Sequence, residues 1–280
     1  MPDFSSFPRA LAERTKIARF GEVPVLMCHP DWRSTCPWVL WLHGRTVSKE
    51  IDSGRYLRLI RAGIAVCAMD LPGHGDRFNI DLQHPRRTLD LLALTTRDID
   101  VVTRALGGAE YNSLFDADRG AIGGMSAGGM ATLRRLCEPH EFLSCVIESS
   151  TGWLEGLYVP GDDAAALTKA PWAVSQDLTR VRELDPMGHL AAFKPVPMLV
   201  LHSEADAIVP WAGMRRFTEA LREHYRHSGA DASLVERVTW PSTGAPQEHA
   251  GFGRAANDAK NALVAFYTKT LNAQPLPEAF

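Results

Sequence analysis

The sequence predicts an α/β domain with a mostly parallel central sheet of about eight strands, helices on both faces and a small cap insertion. Apolar runs of strand length alternate with helical stretches along the chain, which is typical of a doubly wound sheet. The later apolar runs are continuous, as expected of parallel strands that are covered on both faces. With 280 residues, of which 45% are hydrophobic, the chain fits one such domain over 1–280.

The expected strands lie near 17–20, 25–28, 38–42, 64–70, 120–125, 145–149, 197–202 and 234–240, and the expected helices near 50–62, 88–106, 127–137, 212–226 and 254–268. One stretch breaks this alternation, because residues 150–194 have a mixed character where a single helix is expected. Insertions of this length are uncommon in compact domains unless they are functional. The stretch is therefore interpreted either as a small cap over an active site or as an ordinary surface insertion.

Composition narrows the class of protein. The chain has 30 Lys and Arg residues against 33 Asp and Glu residues, a net charge of −3, which argues against nucleic acid or an anionic membrane as a partner. It lacks a signal-peptide pattern at the amino terminus and an apolar run of the ~20 residues that a membrane span needs, so a cytoplasmic protein is expected. The five cysteines lack metal-site spacing and are expected to be reduced core residues. Oligomeric state is left open.

A serine between a strand and a helix is the strongest chemical signal. Ser126 is the centre of the pentapeptide Gly-Met-Ser-Ala-Gly at 124–128, with an apolar strand-like run before it and a helical stretch after it. In this context the pattern predicts a nucleophile elbow, a sharp turn that presents the serine hydroxyl at the carboxyl end of a strand. Taken alone, the pentapeptide fits an ordinary glycine-rich turn about as well.

Three further signals follow other predicted strands. The His-Gly turn at 43–44 would aim the backbone N–H of Arg45 at a bound carbonyl oxygen, and the N–H of Ala127 would complete an oxyanion hole. Asp206 lies in the loop after the seventh strand, and His249 follows the last one. Ser, Asp and His in this chain order are typical of α/β-hydrolases.

Two of these assignments have rivals. Glu204 is the alternative acid, but the Val-Pro pair that follows Asp206 favours the aspartate. His43 and His74 also follow strands, and both are expected to hydrogen-bond their own turns rather than to carry protons.

Other side chains are candidates for the substrate pocket. Trp153, Trp172 and Trp211 fall in loops near the predicted site and either line an acyl pocket or simply pack. The Arg45 side chain either binds an acidic substrate or pairs with a surface carboxylate.

Together these motifs resemble a known family. His-Gly-Arg at 43–45, Asp-Leu-Pro-Gly-His-Gly at 70–75, the pentapeptide at 124–128 and the pattern His-x3-Asp-x2-Val-Pro at 202–210 are similar to the dienelactone-hydrolase-like bacterial carboxylesterases. These belong to the α/β-hydrolase superfamily, next to the prolyl-oligopeptidase-type serine hydrolases. The similarity spans roughly 37–268 and is much less specific for substrate than for fold.

The resemblance implies a serine esterase that acts on small acyl esters without a cofactor, with Ser126, Asp206 and His249 as its catalytic triad. Dienelactone hydrolases proper use a cysteine nucleophile, so the serine argues against that reaction. We therefore predict a carboxylesterase-type serine hydrolase with a small-molecule ester substrate, no cofactor and no metal. An amidase, peptidase or thioesterase acting on small acylated substrates is the alternative, and a non-catalytic binding protein of the same fold is less favoured.

Overall fold

Eight strands form one sheet in the computed structural model, which describes residues 4, 6–159 and 174–276. The strands are β1 (Thr15–Phe20), β2 (Val23–Cys28), β3 (Cys36–Leu42), β4 (Ala65–Met69), β5 (Phe115–Met125), β6 (Cys145–Glu148), β7 (Met198–Ser203) and β8 (Val235–Trp240). Their order across the sheet is β1-β2-β4-β3-β5-β6-β7-β8. The strand β2 is antiparallel to both of its neighbours, and every other neighbouring pair is parallel. The predicted, mostly parallel sheet is confirmed.

Helices connect the strands. They are α1 (Arg9–Ala12), α2 (Ser53–Arg61), α3 (Thr88–Leu106), α4 (Ala127–Arg135), α5 (Glu155–Tyr158), α6 (Leu178–Leu184), α7 (Trp211–His227) and α8 (Ala256–Thr270). Within the described ranges, no helix combines the length and the apolar composition needed to cross a membrane.

The sheet separates two apolar cores, because successive side chains of a strand point to opposite faces. On β3, Trp38 and Leu40 pack in the core that contains the apolar side chains of α3, α4 and α7, whereas Val39 and Trp41 pack in the core with those of α2 and α8. All seven residues of β3 are buried, as expected of a strand covered on both faces. The five cysteines are free and buried, which confirms the prediction of reduced core residues.

The second helix begins later than predicted, because a buried lysine holds the preceding residues in a turn. The Lys49 ammonium is fully buried and lies 2.9 Å from Asp70, 2.8 Å from Asp76 and 2.8 Å from Glu50. The Lys49 backbone N–H also donates to Asp70, and the Tyr56 hydroxyl donates to the Lys49 carbonyl. Residues 49–52 therefore anchor the loop after β4, and α2 starts only at position 53.

One carboxylate makes hydrogen bonds within the stretch that follows β6. Asp185 accepts hydrogen bonds from the backbone N–H groups of Leu154 and Glu155, each at 2.9 Å, so it joins the first and the second described part of this stretch. Gln176 then donates to the Pro85 carbonyl just before α3. Residues 160–173 of the predicted cap, which include Trp172, lie outside the described residues, so the cap over 150–194 stays a prediction.

Candidate active site

Ser126 lies in a strained turn between β5 and α4. Its φ of 53° and ψ of −121° are rare for a residue with a side chain and cost roughly 1–3 kcal/mol. The Ser126 N–H donates to the Glu148 carbonyl at 2.9 Å, and the Ser150 hydroxyl donates to the Ser126 carbonyl at 2.7 Å. Both partners belong to β6 or follow it directly, so the neighbouring strand holds the strained turn in place.

The two outer glycines of the pentapeptide are required by space. A Cβ atom on Gly124 would lie 2.6 Å from the backbone of Gly128, and one on Gly128 would lie 2.4 Å from the Leu42 carbonyl oxygen. Neither backbone can move without displacing the strand or the helix that carries it. This is the close approach that glycine alone permits, and it agrees with an elbow rather than with an ordinary turn.

Three polar side chains from separate loops meet at this elbow. The Ser126 Oγ lies 3.0 Å from the Nε2 of His249, and the Nδ1 of His249 lies 2.8 Å from the Oδ2 of Asp206. A carboxylate only accepts, so Nδ1 carries the proton and Nε2 is left to accept from the serine hydroxyl. The structure thus brings together the three residues that the sequence singled out.

The carboxylate of Asp206 is buried and fully engaged. Its Oδ1 accepts from the N–H groups of Ile208 and Val209, both at 2.8 Å. Burial acts to raise the pKa of Asp206, but hydrogen bonds from His202 and His249 outweigh it and hold that pKa below its ordinary value. Asp206 is therefore an anion that can stabilise a protonated His249.

Glu204, the rival acid, lies elsewhere. It is exposed, and its Oε1 accepts from the Thr239 hydroxyl on β8 at 2.7 Å. The geometry supports Asp206 as the partner of His249.

A second histidine, which sequence analysis did not assign to the site, contacts the same aspartate. The Nε2 of His202 lies 2.9 Å from the Val209 carbonyl oxygen and 3.4 Å from the Asp206 Oδ2. Both neighbours are acceptors, so this nitrogen carries the proton. The Trp211 ring packs on the imidazole with 5.3 Å between the ring centroids, which places this predicted pocket residue behind the aspartate.

The loop that carries His249 is strained and held by Glu248. Gln247 and Glu248 have φ values of 50° and 57°. The Glu248 carboxylate accepts from the backbone N–H and hydroxyl of Thr243, from the Gly244 N–H and from the Ser203 hydroxyl. These bonds, those from Thr243 first, lower the pKa of Glu248 to about 2. Because Ser203 ends β7, Glu248 joins the loop of His249 to the strand that precedes Asp206.

The His-Gly turn orients the predicted oxyanion donor. His43 Nε2 accepts from the Leu71 N–H at 3.1 Å, so its Nδ1 donates to the Gly44 carbonyl at 2.6 Å. In a trans peptide the C=O and the following N–H point in opposite directions, so His43 sets the direction of the Arg45 N–H. Burial lowers the pKa of His43 to about 4, and the neutral ring remains able to accept. His43 thus binds its own turn, as predicted.

The two candidate N–H donors flank the serine. A Cβ atom on Gly44 would lie 3.4 Å from the Ser126 Cβ, so the turn that carries Arg45 rests on the nucleophile. Ala127 is the first residue of α4, where an N–H has no acceptor within its own helix. Ala127 follows Ser126 directly and Arg45 follows Gly44, which contacts it, so the oxyanion hole formed by their N–H groups stays a proposal.

The structure describes only some of the tryptophans that were candidates for the acyl pocket. Trp153 is half-buried, with the Arg216 guanidinium 4.2 Å from its ring centroid. It follows Ser150 by three residues, and Ser150 binds the elbow. Trp172 lies outside the described residues. A pocket lined by these rings stays a proposal.

Comparison with known proteins identifies the relatives. Residues 59–274 match the model of the prolyl oligopeptidase family. The chain is 27% identical over 211 residues to esterase YjfP of Escherichia coli (strain K12), with 72% of this chain and 82% of that protein covered. It superposes on TT1662 from Thermus thermophilus with a TM-score of 0.69 and 21% identity, covering 93% of this chain and 99% of that one. A puromycin-hydrolyzing peptidase of Mycobacterium tuberculosis gives a TM-score of 0.71 and 18% identity, covering 93% of this chain but 40% of the peptidase.

The strand order and these structural likenesses define the α/β-hydrolase fold. The match over 59–274 covers most of the chain, and the chain belongs to the prolyl oligopeptidase family of serine hydrolases. The resemblance predicted from the motifs is confirmed.

Proposed function

We propose that the protein is a serine carboxylesterase that hydrolyses small carboxylic esters through an acyl-enzyme intermediate. The observation that carries the proposal is the continuous relay from the Ser126 hydroxyl through His249 to the buried carboxylate of Asp206, with contacts of 3.0 and 2.8 Å. A serine hydroxyl is a weak nucleophile, and it needs a base within hydrogen-bond reach to become effective.

In the proposed reaction, Ser126 Oγ attacks the ester carbonyl while His249 Nε2 takes the hydroxyl proton. The carbonyl oxygen becomes an oxyanion that accepts from the N–H groups of Arg45 and Ala127. His249 then donates its proton to the leaving alcohol, and Asp206 stabilises the imidazolium between the two steps. Water, activated by His249 in the same way, hydrolyses the acyl-enzyme and frees Ser126 and the carboxylic acid.

Ester rather than amide hydrolysis is supported by the similarity to esterase YjfP. The competing proposal is an amidase or peptidase acting on small acylated substrates, and the similarity to a puromycin-hydrolyzing peptidase favours it. A thioesterase would use the same relay. These possible activities differ in the leaving group of the substrate, so rates measured on substrates with the same acyl group and different leaving groups distinguish them.

The test combines labelling and hydrolysis. Wild-type protein is expected to react with a fluorophosphonate probe and to hydrolyse p-nitrophenyl esters faster than the matching anilides. Ser126→Ala should abolish labelling and lower ester hydrolysis by about 10³-fold or more. Ser228→Ala is the matched control, because that serine is exposed at the end of α7 and its hydroxyl donates to the His224 carbonyl. Absence of labelling in the wild type would favour a binding protein, and faster anilide turnover would favour the amidase.

A further inference from the structure

The Arg45 guanidinium is a partly buried charge with no carboxylate partner in the described part of the chain. Its Nη1 donates to the Thr88 hydroxyl at 2.9 Å, and its Nη2 donates to the Gln83 carbonyl. Both acceptors are neutral. Burial lowers the pKa of Arg45, and the neighbour that opposes this effect is a phenol, Tyr158, rather than an acid. The guanidinium stays charged at neutral pH, because arginine does not lose its proton in proteins.

Three other arginines with little exposed surface are paired with acids. The guanidinium of Arg55 meets Asp52 and Glu148, that of Arg77 meets Asp98, and that of Arg135 meets Asp100. Pairing of this kind is the rule, because a desolvated charge without a counter-charge is costly. Arg45 departs from it, although neutral oxygens fix its side chain in one orientation.

The position of Arg45 connects this charge to the reaction. Its backbone follows Gly44, which rests on Ser126, and its side chain reaches Thr88 at the start of α3. Tyr158, in the stretch after β6, lies close to both Thr88 and Arg45 and opposes the lowered pKa of Arg45. The guanidinium thus lies where three segments meet. They are the turn at 43–45, the start of α3 and the stretch after β6.

Arg45 supplies a positive charge where these three segments meet. His74 lies near Arg45, but burial lowers the pKa of His74 and the ring is neutral at pH 7. Some of the Arg45 N–H groups already donate to Thr88 and Gln83. The N–H groups that remain suit a planar acceptor with one negative charge, and a carboxylate has this shape and charge.

We propose that Arg45 is a specificity-determining residue that binds a carboxylate of the substrate, so that the preferred esters are monoesters of short dicarboxylic acids. The proposal rests on the proposed esterase function and adds the substrate class to it. The carboxylate would supply the missing counter-charge while its ester carbonyl lies over Ser126. The chemistry of hydrolysis is unchanged, because the guanidinium makes and breaks no bond.

The test measures selectivity with two esters that share a leaving group. The kcat/KM of p-nitrophenyl hydrogen succinate is divided by that of p-nitrophenyl butyrate. Wild type is expected to favour the anionic ester, and Arg45→Met should lower the ratio by about 10- to 100-fold, the usual effect of losing a charged hydrogen bond. Arg45→Lys should retain part of it. Arg87→Met, the control, removes an exposed arginine that pairs with Asp90 just before α3, and the ratio should stay at the wild-type value.

Three outcomes would overturn the proposal. One is an equal ratio in wild type and in Arg45→Met. Another is an equal fall of the ratio in Arg87→Met, which would indicate a general effect of surface charge. The third needs no variant: a wild-type enzyme that hydrolyses the butyrate at least as well as the succinate monoester has no carboxylate site. Failure of the esterase function itself would differ from all three, because neither ester would be hydrolysed and the phosphonate would not label the protein.

Discussion

The imidazole of His202 lies against the carboxylate that holds His249, with its Nε2 atom 3.4 Å from the Oδ2 atom of Asp206. The same nitrogen lies 2.9 Å from the Val209 carbonyl oxygen, so one N–H fixes both the acid and the loop beside it. His202 is fully buried, and its imidazole contacts the carboxylate of Asp206. It is a positioning residue for the proposed triad.

Replacing His202 with Leu is expected to lower kcat by about 10- to 100-fold, since the lost hydrogen bond is to a charged group. KM should change little, because the side chain does not reach substrate. His202→Gln keeps an N–H donor and should lose less activity. His227→Leu, at an exposed position on α7, serves as the control. Wild-type kcat in a folded His202→Leu protein would show that this ring only packs.

Asp206→Asn should lower kcat/KM for esters by on the order of 10³-fold or more, because an amide cannot both accept from His249 and stabilise its charge. Glu204→Gln should leave kcat/KM within about threefold of wild type, because surface changes away from a site have small effects. Steady-state kinetics with one p-nitrophenyl ester ranks the two variants. The opposite ranking would assign the orienting role to Glu204.

Glu248→Gln should destabilise the protein at neutral pH and lower activity, since the carboxylate holds the strained loop of His249. The folded pKa of about 2 is below the ordinary value of 4.5, so ionised Glu248 stabilises the fold fully above pH 4.5. This stabilisation is lost as the pH falls from there toward 2.

The gap in Tm between wild type and Glu248→Gln should therefore be largest near pH 7 and shrink by pH 3. Glu141→Gln is the control, because that side chain is 92% exposed and lies far from the His249 loop in the chain. A gap that does not change with pH would mean that the shape of Glu248, and not its charge, holds the loop.

The site residues that could be predicted are those marked by a pattern in the sequence around them. Ser126 lies between an apolar run and a helix with glycines at fixed offsets, and the structure shows the backbone contacts that demand those glycines. Asp206 and His249 follow strands, and parallel strands bring their carboxyl ends to one edge of the sheet. Chain order and strand ends were therefore enough to select these three residues.

The supporting contacts have no such signal. The apolar neighbours of His202 indicate only a buried strand, and the folded loop after β7 returns Val209 to it. Glu248 binds Thr243 and Gly244 through two consecutive residues with positive φ, which neither composition nor periodicity indicates. The start of α2 differs from the prediction for the same reason, because Lys49 is bound by Asp70 from a distant turn. Contacts between loops depend on the assembled fold.

Trp153→Ala should shift the preferred acyl chain towards greater length. The ring is fixed beneath Arg216, three residues after the serine that binds the elbow, so its removal would enlarge the space near the nucleophile. Wild type is expected to favour acyl groups of about two to six carbons, because each methylene that fits contributes ~0.8 kcal/mol and one that clashes costs more.

A series of p-nitrophenyl esters from acetate to decanoate gives the chain-length profile as kcat/KM. Trp32→Ala is a matched control, because that ring also lies beneath a cation, Lys16 at 3.9 Å, but it packs on Phe115 at the opposite end of β5 from Ser126. Both variants lose a large side chain, and both should lose stability. Only Trp153→Ala should move the optimum, and a shift of equal size in Trp32→Ala would trace the effect to general loosening. An unchanged optimum in Trp153→Ala would mean that this ring does not limit the acyl pocket.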